Sequence, residues 1–388
     1  MSAGRNAPVD SFAHHHGANI PYRAQAVKAN QVCCPRGRKP GRARCPTASV
    51  VTRGVRVKSD LRGPYRFDVF SDPADGEQQA SRSVAELRRA AEQFESRGGE
   101  ARVLLPSLRL AVRAAEHVLT CGFRDNVVGG DKEVELRADK LTELSRALNR
   151  ASAMAEMMER GAGPGAIAQL RGDVRLGYRS PADGSDQPFC LYVPHDYDSG
   201  RKWPLMVRLH GMWAEIDEAE WTIQTFEWDR EFVRYAPRGS FIELYPWGRG
   251  NEGYESTGLQ DVLDTMALVN ELYAIDEDRV YLMGSSMGAA AAWRIGLRYP
   301  DRFAALCGVV GVYDRELAQA AIDLPVMFHY GGLDSPERIS SPQEMAAVRR
   351  SLGGLVELVG HPDSGHRIET TDYQLSYYRF FGRHRRKR

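Results

Sequence analysis

Strand-like and helical segments alternate along the second half of this 388-residue chain, from about residue 172 onward. Two opening strands are followed by β–α repeats, a pattern that predicts an α/β fold. We expect an eight-stranded, mostly parallel sheet with helices on both faces. The expected strands are 174–179, 189–193, 205–209, 241–245, 280–283, 303–310, 326–330 and 356–359, and the expected helices are 258–273, 287–298, 342–352 and 371–381.

The residues before this alternation divide into two parts. Residues 1–66 are rich in Arg, Gly and Pro, and we expect little fixed structure there. Residues 80–165 carry apolar side chains at helical spacing and predict two or three packed helices that end at the breaker 161–165. A catalytic domain is then expected at 172–382 and a short basic tail at 383–388.

The formal net charge of +1 is a sum over unlike segments. Residues 1–66 hold 13 Lys and Arg against 2 Asp and Glu, and residues 382–388 hold 5 cations and no acid, so the body between them is acidic. Basic ends can bind nucleic acid. No aromatic or RNA-binding motif is interleaved with these charges, which favours a solvated arm and no nucleic-acid contact.

Composition excludes several other classes of protein. An apolar share of 43% and a charged share of 27% are typical of a globular protein and exclude disorder throughout. No run approaches the roughly 18–20 uncharged apolar residues that a transmembrane helix requires. Residues 1–30 also lack the apolar core of a secretory signal, so we expect a cytoplasmic protein. A different start codon would leave room for a secreted or periplasmic one.

The cysteines do not predict a metal site or a disulfide framework. Six are present, and none forms a C-x-x-C pair. A metal site built from His14–His16 with the cysteines at 33, 34 and 45 would need paired ligand spacing that is absent. We expect neither a metal nor another cofactor.

The sharpest chemical signal is a G-x-S-x-G sequence at 284–288, between an apolar strand and a helix rich in small residues. In this context the central serine stands on a tight turn, and the flanking glycines avoid clashes with strand and helix. The spacing selects Ser286, and not Ser285, as the nucleophile. Its hydroxyl would lie at a helix N-terminus, where developing negative charge is favoured.

A serine nucleophile needs a base and an orienting acid, which follow it in the order acid, then histidine, in this type of fold. Asp334 follows the expected strand 326–330 in a glycine-rich loop, and it is the candidate acid. Asp314 is the main competitor, although its position also suits a helix N-cap. His366 follows the next strand and is the candidate base, whereas His361 lies closer to the strand and is expected to be structural.

Two backbone N–H groups are needed to bind the oxyanion. One candidate is that of Met287, directly after the nucleophile, and the other is that of Met212 in the loop after strand 205–209. His210 is expected to support that loop. The possible substrate contacts are Trp213, Trp247, Arg249 and Tyr254, with Arg249 suited to a carboxylate or phosphate, although ordinary loop packing explains these four equally well.

Residues 172–381 resemble α/β-hydrolases of the prolyl-oligopeptidase-like and polyhydroxybutyrate-depolymerase-like esterase group. The resemblance implies that Ser286, Asp334 and His366 are nucleophile, acid and base, and that the preceding helices correspond to an N-terminal segment of some bacterial members. The matching stretches are DG at 183–184, QPFCLYVP at 187–194, LHG at 209–211, DEDRVYLMGSSMG at 276–288, RYPDRF at 298–303, GLD at 332–334 and GH at 365–366.

These observations predict a serine hydrolase that cleaves a carboxylic ester, small or polymer-borne, through an acyl-enzyme. Two alternatives stay open. One is a peptidase or amidase with the same triad, although the oligopeptidase plan places a β-propeller where helices are expected here. The other is a non-catalytic binding protein on a hydrolase fold.

Overall fold

The structure, a computed structural model, describes residues 73–121, 135–212, 241–368 and 372–386. Its helices are α1 (Pro73–Arg97), α2 (Leu105–Cys121), α3 (Glu135–Glu159), α4 (Pro164–Ile167), α5 (Thr257–Leu272), α6 (Met287–Arg298), α7 (Pro336–Ser351) and α8 (Asp372–Gly382). Its strands are β1 (Gly172–Arg179), β2 (Asp186–Val193), β3 (Trp203–Leu209), β4 (Ile242–Pro246), β5 (Ile275–Ser285), β6 (Ala305–Val309), β7 (Val326–Gly331) and β8 (Val356–His361).

The strands form one eight-stranded sheet in the order β1-β2-β4-β3-β5-β6-β7-β8. From β4 to β8 all neighbours are parallel, and only β1–β2 and β2–β4 are antiparallel. The predicted fold class is confirmed. Because the carboxyl ends of parallel strands meet at one edge of a sheet, the loops after β3, β4, β5, β7 and β8 gather there.

The sheet is buried on both faces. One apolar cluster joins α1–α3 to the sheet and to α5 and α6, and a second packs α8 against the central strands. Helix α2 crosses close to β1, where the Ser107 hydroxyl donates to the Gly177 carbonyl at 3.2 Å and accepts the Gly177 N–H at 2.8 Å. The helices before the sheet therefore share its core.

Helix α7 begins six residues earlier than expected. The sequence places its start at Pro342, which the structure instead buries inside the helix. The true N-cap is Ser335, whose side chain accepts the Arg338 N–H, and Pro336 takes the first helical turn, where a missing N–H costs nothing.

The basic C-terminal residues are docked, and not free, as far as Arg386. Arg385 and Arg386 each pair with an acid at the start of β5, at 3.2 Å from Asp276 and 3.2 Å from Asp278. The Arg386 N–H also donates to the Asp278 carbonyl at 2.8 Å. The expected arm at 1–66, with His14–His16 and the cysteines at 33, 34 and 45, lies outside the described residues.

Within the described ranges, no helix is both long and apolar enough to cross a membrane. The same residues contain no cluster of three His, Cys, Asp or Glu side chains that could hold a metal ion.

Candidate active site

The strand-to-helix turn at Ser286 has a strained backbone. Ser286 lies between β5 and α6 with φ 54° and ψ −116°, a conformation that residues with a side chain rarely adopt. Its N–H donates to the Val309 carbonyl at 2.8 Å. A methyl at Gly288 would lie 2.5 Å from the His210 carbonyl oxygen, and one at Gly284 would collide with the Gly288 carbonyl. The motif glycines thus permit the close approach of strand, turn and helix.

The structure brings Ser286, His366 and Asp334 together from three different strand ends. The Ser286 Oγ lies 3.0 Å from His366 Nε2, and His366 Nδ1 lies 2.8 Å from Asp334 Oδ2. A carboxylate can only accept, so Nδ1 carries a proton and the serine hydroxyl donates to Nε2. The Asp334 side chain is 6% exposed, whereas that of His366 is 45% exposed. The base is therefore open to solvent and its orienting acid is not.

The loops that carry the acid and the base are joined to each other by backbone hydrogen bonds. Leu333 N–H donates to the Ser364 carbonyl at 2.9 Å, and Gly332 N–H donates to the His361 carbonyl at 2.8 Å. Asp334 is further held by Ser335 N–H, at 2.7 Å from its Oδ1. Asp314, the competing acid, caps a short helix by accepting the Glu316 N–H. Its position matches the N-cap interpretation.

The two expected oxyanion donors belong to segments that adjoin Ser286. Met287 is the first residue of α6, where N–H groups have no partner within the helix. Met212 follows Gly211, at which a methyl would lie 3.3 Å from Ser286 Cβ, so this loop packs directly against the nucleophile. The Met212 side chain is 66% exposed.

Three residues expected to touch substrate lie instead beneath the loop. Trp247 and Tyr254 are 4% and 1% exposed, and both rings contact the His210 imidazole. The Arg249 guanidinium pairs with Asp183 at 2.6 Å and with the buried Asp261. The ordinary-packing interpretation therefore describes these three, because Trp247 and Tyr254 are buried and the Arg249 guanidinium is paired with two carboxylates. The fourth expected residue, Trp213, lies outside the described residues.

Burial and ion pairing shift the pKa values of His210 and of residues in the contacts below it. Desolvation lowers the pKa of His210, which favours the neutral ring. Hydrogen bonding from Arg249 lowers the pKa of Asp183 well below its usual range. Burial raises the pKa of Tyr254, so its hydroxyl stays protonated.

Residues 218–337 match the family model of the prolyl oligopeptidase family, a stretch that contains Ser286 and Asp334. The chain has the α/β-hydrolase fold. The strand order, the strained turn at Ser286 and the order of serine, acid and histidine along the chain agree with this assignment.

Known proteins similar to this chain include peptidases and esterases. Dipeptidyl-peptidase 5 of Porphyromonas gingivalis is 22% identical over 252 residues, which are 52% of this chain and 36% of that protein. The chain thus spans about a third of the length of that relative. A thermostable esterase structure has 19% identity and a TM-score of 0.45, with 55% of this chain and 63% of that chain covered. A ferulic acid esterase of Anaeromyces mucronatus has 16% identity and a TM-score of 0.41, with 55% of this chain and 90% of that chain covered.

Two histidines below the acid and base loops form a further part of the site that sequence patterns do not single out. His329 on β7 is fully buried, and its Nδ1 lies 2.9 Å from Nε2 of His361 on β8. His361 was expected to be structural, and its partner lies 32 residues away in the chain. Only the parallel register of β7 and β8, which pairs Gly331 with His361, places the two strand ends together.

Proposed function

We propose that this α/β-hydrolase is a serine hydrolase that cleaves carboxylic esters, on small molecules or polymers, through an acyl-enzyme. The observation that carries the proposal is the continuous set of contacts from Ser286 Oγ through His366 to Asp334, at 3.0 Å and 2.8 Å. This geometry suits transfer of the serine proton to a base whose orientation is fixed by an acid.

In the proposed reaction, Ser286 Oγ attacks the ester carbonyl as its proton passes to His366 Nε2. Asp334 stabilises the resulting imidazolium through the Nδ1–H bond. The N–H groups of Met287 and Met212 bind the oxyanion, and His366 then protonates the leaving alkoxide. Water, deprotonated by the same histidine, hydrolyses the acyl-enzyme and regenerates Ser286.

The ester preference is supported by the openness of the site around the base. The His366 side chain is 45% exposed, which suits an ester carried on a bulky group. Helix α2 packs on β1 and β2, at the opposite end of the strand order from β7 and β8, and α1 and α3 pack on α2. A peptidase on the oligopeptidase plan, in contrast, has a β-propeller where α1–α3 of this chain lie.

A fluorophosphonate probe tests the nucleophile. The wild type should be labelled, Ser286→Ala should not be, and the neighbouring Ser285→Ala is the matched control that should retain labelling. Absence of labelling in the wild type would refute catalysis and favour the non-catalytic alternative. Labelling that survives Ser286→Ala would identify a different nucleophile.

A peptidase is the second candidate, because residues 218–337 match the prolyl oligopeptidase family and the related dipeptidyl-peptidase 5 is named as a peptidase. Rates on p-nitrophenyl acetate and on dipeptide p-nitroanilides separate the two. The ester proposal expects kcat/KM to be higher for the ester than for the anilide. The ratio of the two values should exceed the ratio of the rates at which hydroxide hydrolyses the same two compounds, which measures their difference in intrinsic reactivity. A preference for the anilide would replace it with the peptidase, and a panel of esters then defines the acyl and alcohol groups.

A further inference from the structure

The segment 209–211 is packed against the nucleophile turn so tightly that the two cannot move independently. A methyl at Gly288 would lie 2.5 Å from the His210 carbonyl oxygen, and a methyl at Gly211 would lie 3.3 Å from Ser286 Cβ. A shift of His210 therefore changes where the following Met212 N–H points relative to Ser286.

His210 is held from its other side by two aromatic residues. Its backbone N–H donates to the Tyr254 hydroxyl at 2.8 Å, and its Nε2 lies 2.8 Å from the Trp247 carbonyl oxygen. The imidazole is stacked on the Trp247 ring, with centroids 5.4 Å apart, and is tilted against the Tyr254 ring at 5.3 Å. Because Tyr254 is 1% exposed, water does not readily replace its hydroxyl as the acceptor.

The loop that carries Tyr254 is itself anchored at two distant points. The Arg249 guanidinium binds Asp183 in the β1–β2 turn, at 2.6 Å, and Asp261 in α5. It also donates to the Ser180 hydroxyl at 3.0 Å. Arg249 and Tyr254 have φ angles of 65° and 58°, so the loop holds strained conformations that these contacts offset.

We propose that Tyr254 is a positioning residue for the oxyanion hole, and that Arg249 holds it in place. The Tyr254 hydroxyl fixes the His210 peptide, and through it the Met212 N–H, at the distance from Ser286 that the transition state requires. This inference rests on the proposed hydrolase function. It predicts that loss of the hydroxyl weakens transition-state binding more than substrate binding.

The test is Tyr254→Phe, which removes one oxygen and retains the ring that contacts His210. With p-nitrophenyl acetate, and with active sites counted by the fluorophosphonate end point, kcat should fall about 10-fold or more while KM stays within about twofold. One oxyanion donor is worth on the order of 10²–10³ in kcat when it is removed completely. A displaced donor should cost less than that.

Tyr197→Phe is the matched control. The Tyr197 hydroxyl also accepts a backbone N–H, that of Ala274, at 2.8 Å, and the residue is 8% exposed. It joins the turns at the amino ends of β3 and β5, at the edge of the sheet opposite to Ser286. Both variants should lose stability, but Tyr197→Phe should retain wild-type kcat.

The proposal is overturned if Tyr254→Phe keeps wild-type kcat, if only its KM changes, or if Tyr197→Phe loses kcat equally. A wild type that neither hydrolyses the ester nor reacts with the probe refutes the proposed function instead. If Tyr254→Phe does not fold, Arg249→Lys provides the same measurement, since it keeps the charge but loses the forked contacts. That variant should also lower kcat with little change in KM, and unchanged kcat would again overturn the proposal.

Discussion

Acidification should destabilise this protein through the buried His329, and His329→Gln should remove most of that effect. The side chain is fully buried, with Nε2 at 3.1 Å from Ser376 Oγ and Nδ1 at 2.9 Å from His361 Nε2. The Ser376 hydroxyl donates to the Tyr373 carbonyl at 2.5 Å, so its oxygen accepts the His329 Nε2–H. Nδ1 of His329 is then the acceptor for His361, and a proton there would oppose the His361 N–H.

Burial, with a smaller contribution from His361, lowers the pKa of His329 from 6.5 to about 3. The unfolded chain binds a proton near pH 6.5, and the folded protein does not until about pH 3. Stability from the neutral ring is therefore complete above pH 6.5 and is lost as the pH falls towards 3. At pH 5.5, one unit below the pKa in the unfolded chain, protonation favours the unfolded state by a factor of about ten. The unfolding free energy therefore falls by about 1.4 kcal/mol because of this one group.

The measurement is urea-induced unfolding at pH 8.0 and pH 5.5. The wild type should lose about 1.4 kcal/mol more of its unfolding free energy between these pH values than His329→Gln does. The pKa of His361 is also lowered by burial, so a residual slope should remain in the variant. His195→Gln controls for loss of an exposed histidine and should keep the wild-type difference. Equal losses in the wild type and His329→Gln would refute the reasoning.

Three further substitutions test other contacts. Gly288→Ala should slow fluorophosphonate labelling at least about 100-fold, because the methyl displaces segment 209–210 from the oxyanion site; labelling at the wild-type rate would contradict this. Ser107→Ala removes both hydrogen bonds to the Gly177 backbone and should lower the unfolding free energy by about 1–3 kcal/mol in urea. Arg349→Met should cost about 3 kcal/mol or more by the same assay, since the buried guanidinium donates to several carbonyls of residues 318–324; a smaller cost would mean that water replaces those donors.

The triad positions could be derived from the sequence because each depends on a local pattern. Ser286 is specified by a strand, two glycines and a helix within about a dozen residues. Asp334 and His366 each follow an apolar strand, and the parallel sheet carries those strand ends to one edge. The order of strands and loops along the chain is therefore enough to predict which loops meet, although it does not give the distances between their residues.

The role of Arg249 could not be derived in this way, because its partners are distant in the chain. Asp183 lies 66 residues before it and Asp261 lies 12 residues after it. An Arg between glycines after a strand is equally typical of a substrate contact and of a loop anchor. Only burial decides between them, and burial of a loop depends on the tertiary structure above it. The same holds for Trp247 and Tyr254, whose rings lie under His210.

The two halves of the site are held by different local contacts, which predicts how the site fails. The acid and base loops are joined by the backbone hydrogen bonds of Gly332 and Leu333. The His361 carbonyl accepts hydrogen bonds from both loops, from Gly332 N–H and from Ser364 N–H. Ser286 directly follows β5 and is bound to β6 instead, through the Val309 carbonyl. A disturbance of the histidine pair should therefore move Asp334 and His366 together. The contact that opens first is the one between Ser286 and His366, because it is a single side-chain hydrogen bond, whereas the strands below it stay joined through the backbone pairing of β6 with β7.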